Sequence, residues 1–253
     1  MAGALIIDRQ LRIAALNHRF GYQRVLEAIE LQVGAGEAVA LVGPSGCGKT
    51  TLLNLAAGLL APWEGRVDNG FVRPTMMFQQ PRLLPWKRTL DNIALGLKTQ
   101  GMSVAERHAD ATRLALRMGL TADDLDKFPS ALSGGMQSRA ALARAFAVKP
   151  DLLLLDEAFS ALDIGLKNEL YGMLAAERAG NGSAALMVTH DLMEAVRLAD
   201  RIVVMTGAPG RIVAEHRIRT PVPERGERWV FTHAAEFMQM PDIRAAFGLP
   251  EAR

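Results

Sequence analysis

Four short stretches of this chain are almost wholly apolar, and each leads through glycine or polar residues into a helical pattern. They are Ala38-Val39-Ala40-Leu41-Val42, Leu152-Leu153-Leu154-Leu155, Ala184-Ala185-Leu186-Met187-Val188 and Arg201-Ile202-Val203-Val204-Met205. Continuous apolar strands alternating with helices predict a mostly parallel sheet covered on both faces, hence an α/β fold. Residues 4–33 follow a different rule. Leu26-Glu27-Ala28-Ile29-Glu30-Leu31-Gln32-Val33 alternates apolar and polar positions, the pattern of antiparallel strands with one solvated face.

Helical periodicity fills the rest. A helix is expected over residues 52–60, behind a glycine loop. Between residues 80 and 149 the pattern is helical throughout, and Ser103-Val104-Ala105-Glu106 has capping-box spacing ahead of a helix over 107–118. Pro129 closes this stretch. Beyond Asp163, Leu166, Leu170 and Leu174 share one helix face, and Gly180-Asn181-Gly182 ends that helix. From Arg219 onward Pro221 and Pro223 interrupt the pattern before a weak amphipathic run over 234–247. The expected organisation is a domain over residues 1–218, with a helical insert at about 80–148, and a short extension over 219–253.

Composition narrows the choice of partners. A formal charge of +2 over 253 residues is too balanced to make nucleic acid or an anionic membrane the main partner. Cys47 is the single cysteine, so no internal disulfide framework forms and a reducing compartment fits. The first ten residues do not read as a signal peptide, and no apolar run approaches the roughly 18 residues that cross a bilayer. The reading is a cytosolic protein that meets a membrane only through a partner.

The chemistry lies at the strand ends. Gly43-Pro44-Ser45-Gly46-Cys47-Gly48-Lys49-Thr50 fits G-x-x-x-x-G-K-[ST] after a strand and before a helix, the setting that gives this motif its meaning. Its glycines let successive N–H groups curl around phosphates, and the helix N-terminus adds partial positive charge. Lys49 is then placed for the β- and γ-phosphates, and the Thr50 hydroxyl, next to Thr51, for Mg²⁺. Cys47 reads as a small loop filler. Asp156 and Glu157 end the leucine strand, where one carboxylate can hold Mg²⁺ through water and the next can orient or deprotonate the attacking water. His190 follows the strand that ends at Val188, where ligands bind in open α/β sheets, and can donate to a γ-phosphate. His18, His108, His216 and His233 read as surface residues. Leu132-Ser133-Gly134-Gly135-Met136-Gln137 precedes a helix rich in small and apolar residues, a second helix start suited to phosphate.

Taken together, the phosphate loop, the L-S-G-G segment, Asp156-Glu157, Ser160-Ala161-Leu162-Asp163 and His190 occur in the order of ABC-type ATPases, which this chain resembles to about Arg219. The resemblance implies a P-loop fold with a RecA-like core, an N-terminal antiparallel β subdomain and a helical signature subdomain. It implies that Gln79 is the Q-loop glutamine, sensing Mg²⁺ and the attacking water, and that Asp163 is the D-loop aspartate. Phe20 resembles the aromatic that stacks on adenine, with Tyr22 as the alternative. It also implies a head-to-tail homodimer in which Ser133, Gly134 and Gly135 of one copy meet ATP held by the other.

One nucleotide domain without sustained heptads favours a transporter subunit over the translation-factor and DNA-repair types. Within the family, Leu83-Leu84-Pro85-Trp86 and Gly207-Ala208-Pro209-Gly210-Arg211-Ile212-Val213 resemble the nitrate/sulfonate/taurine importer ATPases. There the Gln79–Trp86 region docks a permease, a solute-binding protein takes part indirectly, and the ATPase works on the cytoplasmic face of the inner membrane. A local hydrophobic cluster is the other reading of Trp86. Met136 in place of glutamine, Ala158 in place of proline, and a short segment between Gly65 and Met76 depart from the family pattern without removing a catalytic group. The competing classes are a soluble ABC ATPase acting on a macromolecule and a regulatory subunit that hydrolyses ATP poorly.

Overall fold

A computed structural model describes residues 9–160 and 162–250. Residues 4–8 of the expected strand region and Ala161 of the aspartate motif lie outside them. The chain runs β1 (Leu11–Phe20), β2 (Gln23–Val33), β3 (Ala38–Val42), α1 (Lys49–Ala56), β4 (Glu64–Asn69) and β5 (Pro74–Met77). It continues α2 (Thr89–Ile93), α3 (Val104–Arg117), α4 (Ala122–Leu125), α5 (Gly134–Ala147), β6 (Leu152–Asp156) and α6 (Ile164–Asn181). Then follow β7 (Ala184–Val188), α7 (Leu192–Leu198), β8 (Arg201–Thr206), β9 (Arg211–Arg217), α8 (Glu227–Gln239) and α9 (Pro241–Ala246). No helix among the described residues is long and apolar enough to cross a membrane.

The residues fall into two compact units, Met1–Val72 with Ala184–Arg253, and Arg73–Ser183. In the first, β7, β3 and β8 are parallel and β9 is antiparallel at the edge. Every residue of β3 and β7 is buried, which is why these strands carry no alternation. A second, antiparallel sheet has β1 between β2 and β4. Because β7, β3 and β8 run the same way, the phosphate loop after β3, His190 after β7 and Gly207 after β8 all leave from one edge.

The β1 alternation changes register partway along. Leu11 and Ile13 face the core; then Ala15, at φ 47°, makes an irregular step in the pairing, and Leu16 and His18 face inward instead. Such a bulge moves a strand's inward set by one position. His18, expected at the surface, is buried at 6% exposure and stands edge-on to Phe20 at 4.9 Å. His216 is also only partly exposed, 2.5 Å from Asp242.

In the second unit β5 and β6 pair in parallel, accompanied by helices α2 to α6. Ser103 and Glu106 form the capping box expected for α3, and Gly182 ends α6 in the left-handed conformation. Two helices differ from expectation. The one after the phosphate loop stops at Ala56, with the turn at Gly58 (φ 71°), and not at Leu60. The amphipathic run over 234–247 is two helices, because Pro241 starts a new one at its first position.

Candidate functional site

The phosphate loop belongs to the first unit and is shaped from outside itself. Gly43, Gly46 and Gly48 have φ of 156°, 81° and 94°, conformations that side chains resist. A Cβ on Gly43 would lie 2.3 Å from the Met205 carbonyl, and one on Gly48 would lie 2.7 Å from Leu26. Gly210, in the turn between β8 and β9, comes closer still: its Cβ would meet the Cys47 carbonyl at 1.9 Å. That turn is tied to β2 by Gly210 N donating to Val25 O at 2.8 Å and Glu27 N donating to Gly210 O at 3.0 Å. In the sequence Gly207 to Val213 carries only a family resemblance; the packing of Gly210 on the loop is visible only in the fold.

Lys49 is buried, and its ammonium donates to Gly43 O at 2.8 Å and Pro44 O at 2.9 Å. Cys47 is buried with its sulfur 3.8 Å from that ammonium, consistent with a filler. Space is open where a Cβ on Gly46 would stand, and Thr50 is exposed at the head of α1. A row of glycine N–H groups, a helix start and one inward cation form a cradle for phosphate oxygens. Phe20 is half exposed and Tyr22 fully exposed at the turn joining β1 and β2.

His190 is exposed between two clamped neighbours. Thr189 Oγ1 donates to buried Glu194 at 2.7 Å and accepts from Asp191 N at 3.0 Å. Asp191 caps α7, its carboxylate accepting from Met193 N at 2.9 Å and Glu194 N at 3.3 Å. The histidine thus occupies a fixed step between a buried strand and a short helix. This supporting network leaves no contiguous signal in the sequence.

The second unit holds the remaining expected residues. Asp156 closes β6 nearly buried, and Glu157 follows at φ 44°, a conformation that a glutamate adopts only where its surroundings hold it. Ala158, next after the acidic pair, is buried. Gln79 Nε2 donates to Ser160 Oγ at 3.4 Å, so its side chain reaches the segment just after the acidic pair. Asp163 caps α6 by accepting from Leu166 N at 3.0 Å. Ser133 caps α5 by accepting from Met136 N at 3.3 Å. Gly134 stands open, whereas a Cβ on Gly135 would lie 2.5 Å from Leu166.

The loop after Gln79 is held from beneath. Arg144 of α5 donates to Pro81 O at 2.7 Å and Arg82 O at 2.9 Å, and burial lowers its pKa from the usual guanidinium value. Buried Asn92 accepts from Leu84 N at 2.7 Å and donates to Leu84 O at 3.1 Å and Lys87 O at 3.0 Å. With its backbone satisfied from below, the loop presents Trp86 outward at 71% exposure.

These parts define a phosphate-loop, nucleotide-binding α/β protein. Residues 26–160 match the family described as ABC transporter. The chain is 42% identical over 231 residues to the aliphatic sulfonates import ATP-binding protein SsuB of Mycobacterium sp. (strain MCS), covering 90% of this chain and 89% of that protein. It is 41% identical over 214 residues to the taurine import ATP-binding protein TauB of Chromobacterium violaceum, covering 82% and 80% respectively. Among solved structures, the dimeric ATP-binding cassette MJ0796 bound to ADP and Pi is similar with a TM-score of 0.74 and 28% identity, covering 83% of this chain and all (100%) of that one. The chain belongs to the ABC transporter family, and with membership goes hydrolysis of ATP coupled to transport.

Proposed function

We propose that this chain is the energy-coupling subunit of an importer for small solutes of the sulfonate, taurine or nitrate kind. It works as a head-to-tail homodimer on the cytoplasmic face of the membrane. The observation that carries the reading is the phosphate cradle: glycines of positive φ at the head of α1, with the Lys49 ammonium turned into the loop. Residues 1–218 are the ATPase domain in this reading, with a helical insert over 80–148, and 219–253 the extension.

Each residue takes a role suited to its chemistry. Backbone N–H groups of residues 43–51 bind the α- and β-phosphates, and Lys49 binds the β- and γ-phosphates. Thr50 and Gln79 would supply oxygens for Mg²⁺, and Asp156 would hold it through water. When bound, Mg²⁺ neutralises charge on the β- and γ-phosphates. Glu157 orients or deprotonates the attacking water, and His190 donates to the γ-phosphate. Phe20 or Tyr22 stacks on adenine. Ser133, Gly134 and Gly135 of the second copy meet the γ-phosphate, and Asp163 communicates between the copies. Trp86, with Leu83 and Leu84, docks the permease, through which the solute-binding protein is reached.

Glu157→Gln keeps ATP binding while removing the base. With ATP it is expected to elute from gel filtration as a dimer; a monomer under those conditions would overturn the sandwich. Co-purification with a multi-span membrane protein, lost in Trp86→Ala, supports the importer reading. Retention of a soluble macromolecule instead supports the other class.

A further inference from the structure

Arg225 lies in the C-terminal extension, yet its side chain is completely buried, at 0% exposure. Its guanidinium donates to Val196 O at 2.8 Å and Ala199 O at 2.7 Å, with Arg197 O at 3.5 Å, while Nε donates to Thr220 O at 2.9 Å. Val196 and Arg197 belong to the last turn of α7 and Ala199 is its C-cap. Terminal helix carbonyls have no partner within their own helix and carry partial negative charge. A buried cation donating to several of them is therefore an end-clamp. Asp200, 3.9 Å from the guanidinium, adds the balancing charge. Outside the clamp, Arg197 pairs with Glu227 at 3.1 Å, and the Trp229 ring lies 5.6 Å from the guanidinium.

The other end of α7 carries His190. With seven residues, α7 is about 10 Å long and has too few internal bonds to hold its place alone. At its start Asp191 and the Thr189–Glu194 bond fix the step that contains His190; at its finish Arg225 fixes the last turn. A short helix held at both ends behaves as a rod. Freedom at one end becomes displacement at the other.

We propose that Arg225 is a positioning residue for ATP hydrolysis, acting through α7 on His190, so that the extension is part of the catalytic unit. The inference rests on the reading of His190 as the γ-phosphate donor. Misplacing a reacting contact by about 1 Å can cost up to 100-fold in rate without loss of substrate binding. Arg225→Met is therefore expected to lower kcat about tenfold or more, leaving the KM for ATP within about twofold, because no cradle residue is touched. Arg225→Lys, which keeps the charge but reaches fewer carbonyls, should fall between. Amide exchange over residues 189–198 should quicken in the methionine variant, with residues 43–56 unchanged.

The decisive test adds Arg225→Met to His190→Ala and measures residual single-turnover hydrolysis. If Arg225 acts through His190, the second change costs nothing further. A full additional loss, or an unchanged kcat in folded Arg225→Met while His190→Ala is impaired, overturns the clamp alone. Normal hydrolysis by His190→Ala overturns both readings. If Arg225→Met does not accumulate folded, Arg225→Lys carries the same comparison.

Discussion

On the proposed reading two helix starts in this chain meet phosphate, and they are made in opposite ways. At α1 the cap is Gly48, at φ 94° with no side-chain bond, and its backbone is pinned by Leu26 and Val25. At α5 the cap is Ser133, in ordinary extended geometry, with its hydroxyl already accepting from Met136 N and open space beside Gly134. The first start is pre-organised by packing from outside; the second is satisfied from within. A phosphate arriving at α1 finds its N–H groups in a loop held from outside, whereas at α5 the serine keeps its cap bond as acceptor and has its O–H left to donate. On the reading proposed here, that contrast suits a loop that binds ATP in a single copy and a signature that meets it only when two copies close.

The comparison breaks most sharply at Lys49. Replacing it with alanine removes both the cation and the loop's two inward hydrogen bonds. Phosphate release at saturating ATP should fall by about 100-fold or more. Unchanged turnover would remove α1 from the chemistry altogether.

Glycine substitutions at the two starts should then diverge. Gly48→Ala forces a Cβ to within 2.7 Å of Leu26 in a left-handed backbone, so ATP affinity should collapse and stability drop by about 1–3 kcal/mol. Gly134→Ala meets no neighbour and replaces glycine in a helix, so stability should hold or rise by up to about 1 kcal/mol. ATP-driven dimerisation of the Glu157→Gln protein should nonetheless weaken in that background. Denaturant titration beside gel filtration reads both quantities, and a dimer as tight as before would show that no phosphate approaches Gly134.

Ser133→Ala is expected to be milder. Losing the cap costs about 1 kcal/mol of stability, and hydrolysis should fall about tenfold for one lost polar donor in the closed dimer. ATP binding to the single copy, measured by fluorescent-nucleotide titration, should not change. A matching loss of monomer affinity would mean that the two starts are not independent sites.

What the sequence disclosed and what it withheld divide along the same physical line. Strands β3, β6 and β7 are legible because full burial leaves a local mark, an unbroken apolar run. Strands β4 and β9 leave almost none: Glu64–Asn69 is exposed at nearly every position and Arg211–Arg217 alternates only faintly. Pairing with β1 and β8 makes them strands, and a partner distant in sequence writes no local pattern. The motifs on which the proposed site rests are readable because each is contiguous. Gly210 against Cys47 O, Arg225 under α7 and Arg144 under the Pro81–Arg82 backbone are not, since each acts across many residues of chain. His18 misled for a third reason, a bulge that alternation cannot announce.

A helix start to which the proposed reading assigns no phosphate supplies the control. At α4, Thr121 caps, and Asp124 accepts from Thr121 N at 2.9 Å and from Lys127 at 2.7 Å. The Lys127 ammonium, then the bonds from Thr121, lower the Asp124 pKa from 3.8 to about 2. A carboxylate depressed on folding stabilises the protein fully above its unfolded value of about 3.8 and loses that contribution as pH falls toward 2. Asp124→Asn should therefore be less stable than wild type by about 1 kcal/mol at neutral pH. The gap should narrow below pH 4 and close near pH 2, with ATP hydrolysis at neutral pH unaffected. Urea unfolding at pH 7, 4 and 2.5 follows the gap directly. If it persists unchanged to pH 2.5, the charge is not what caps α4. If hydrolysis falls with it, α4 is no mere control, and the division between helix starts that serve phosphate and those that serve only themselves fails.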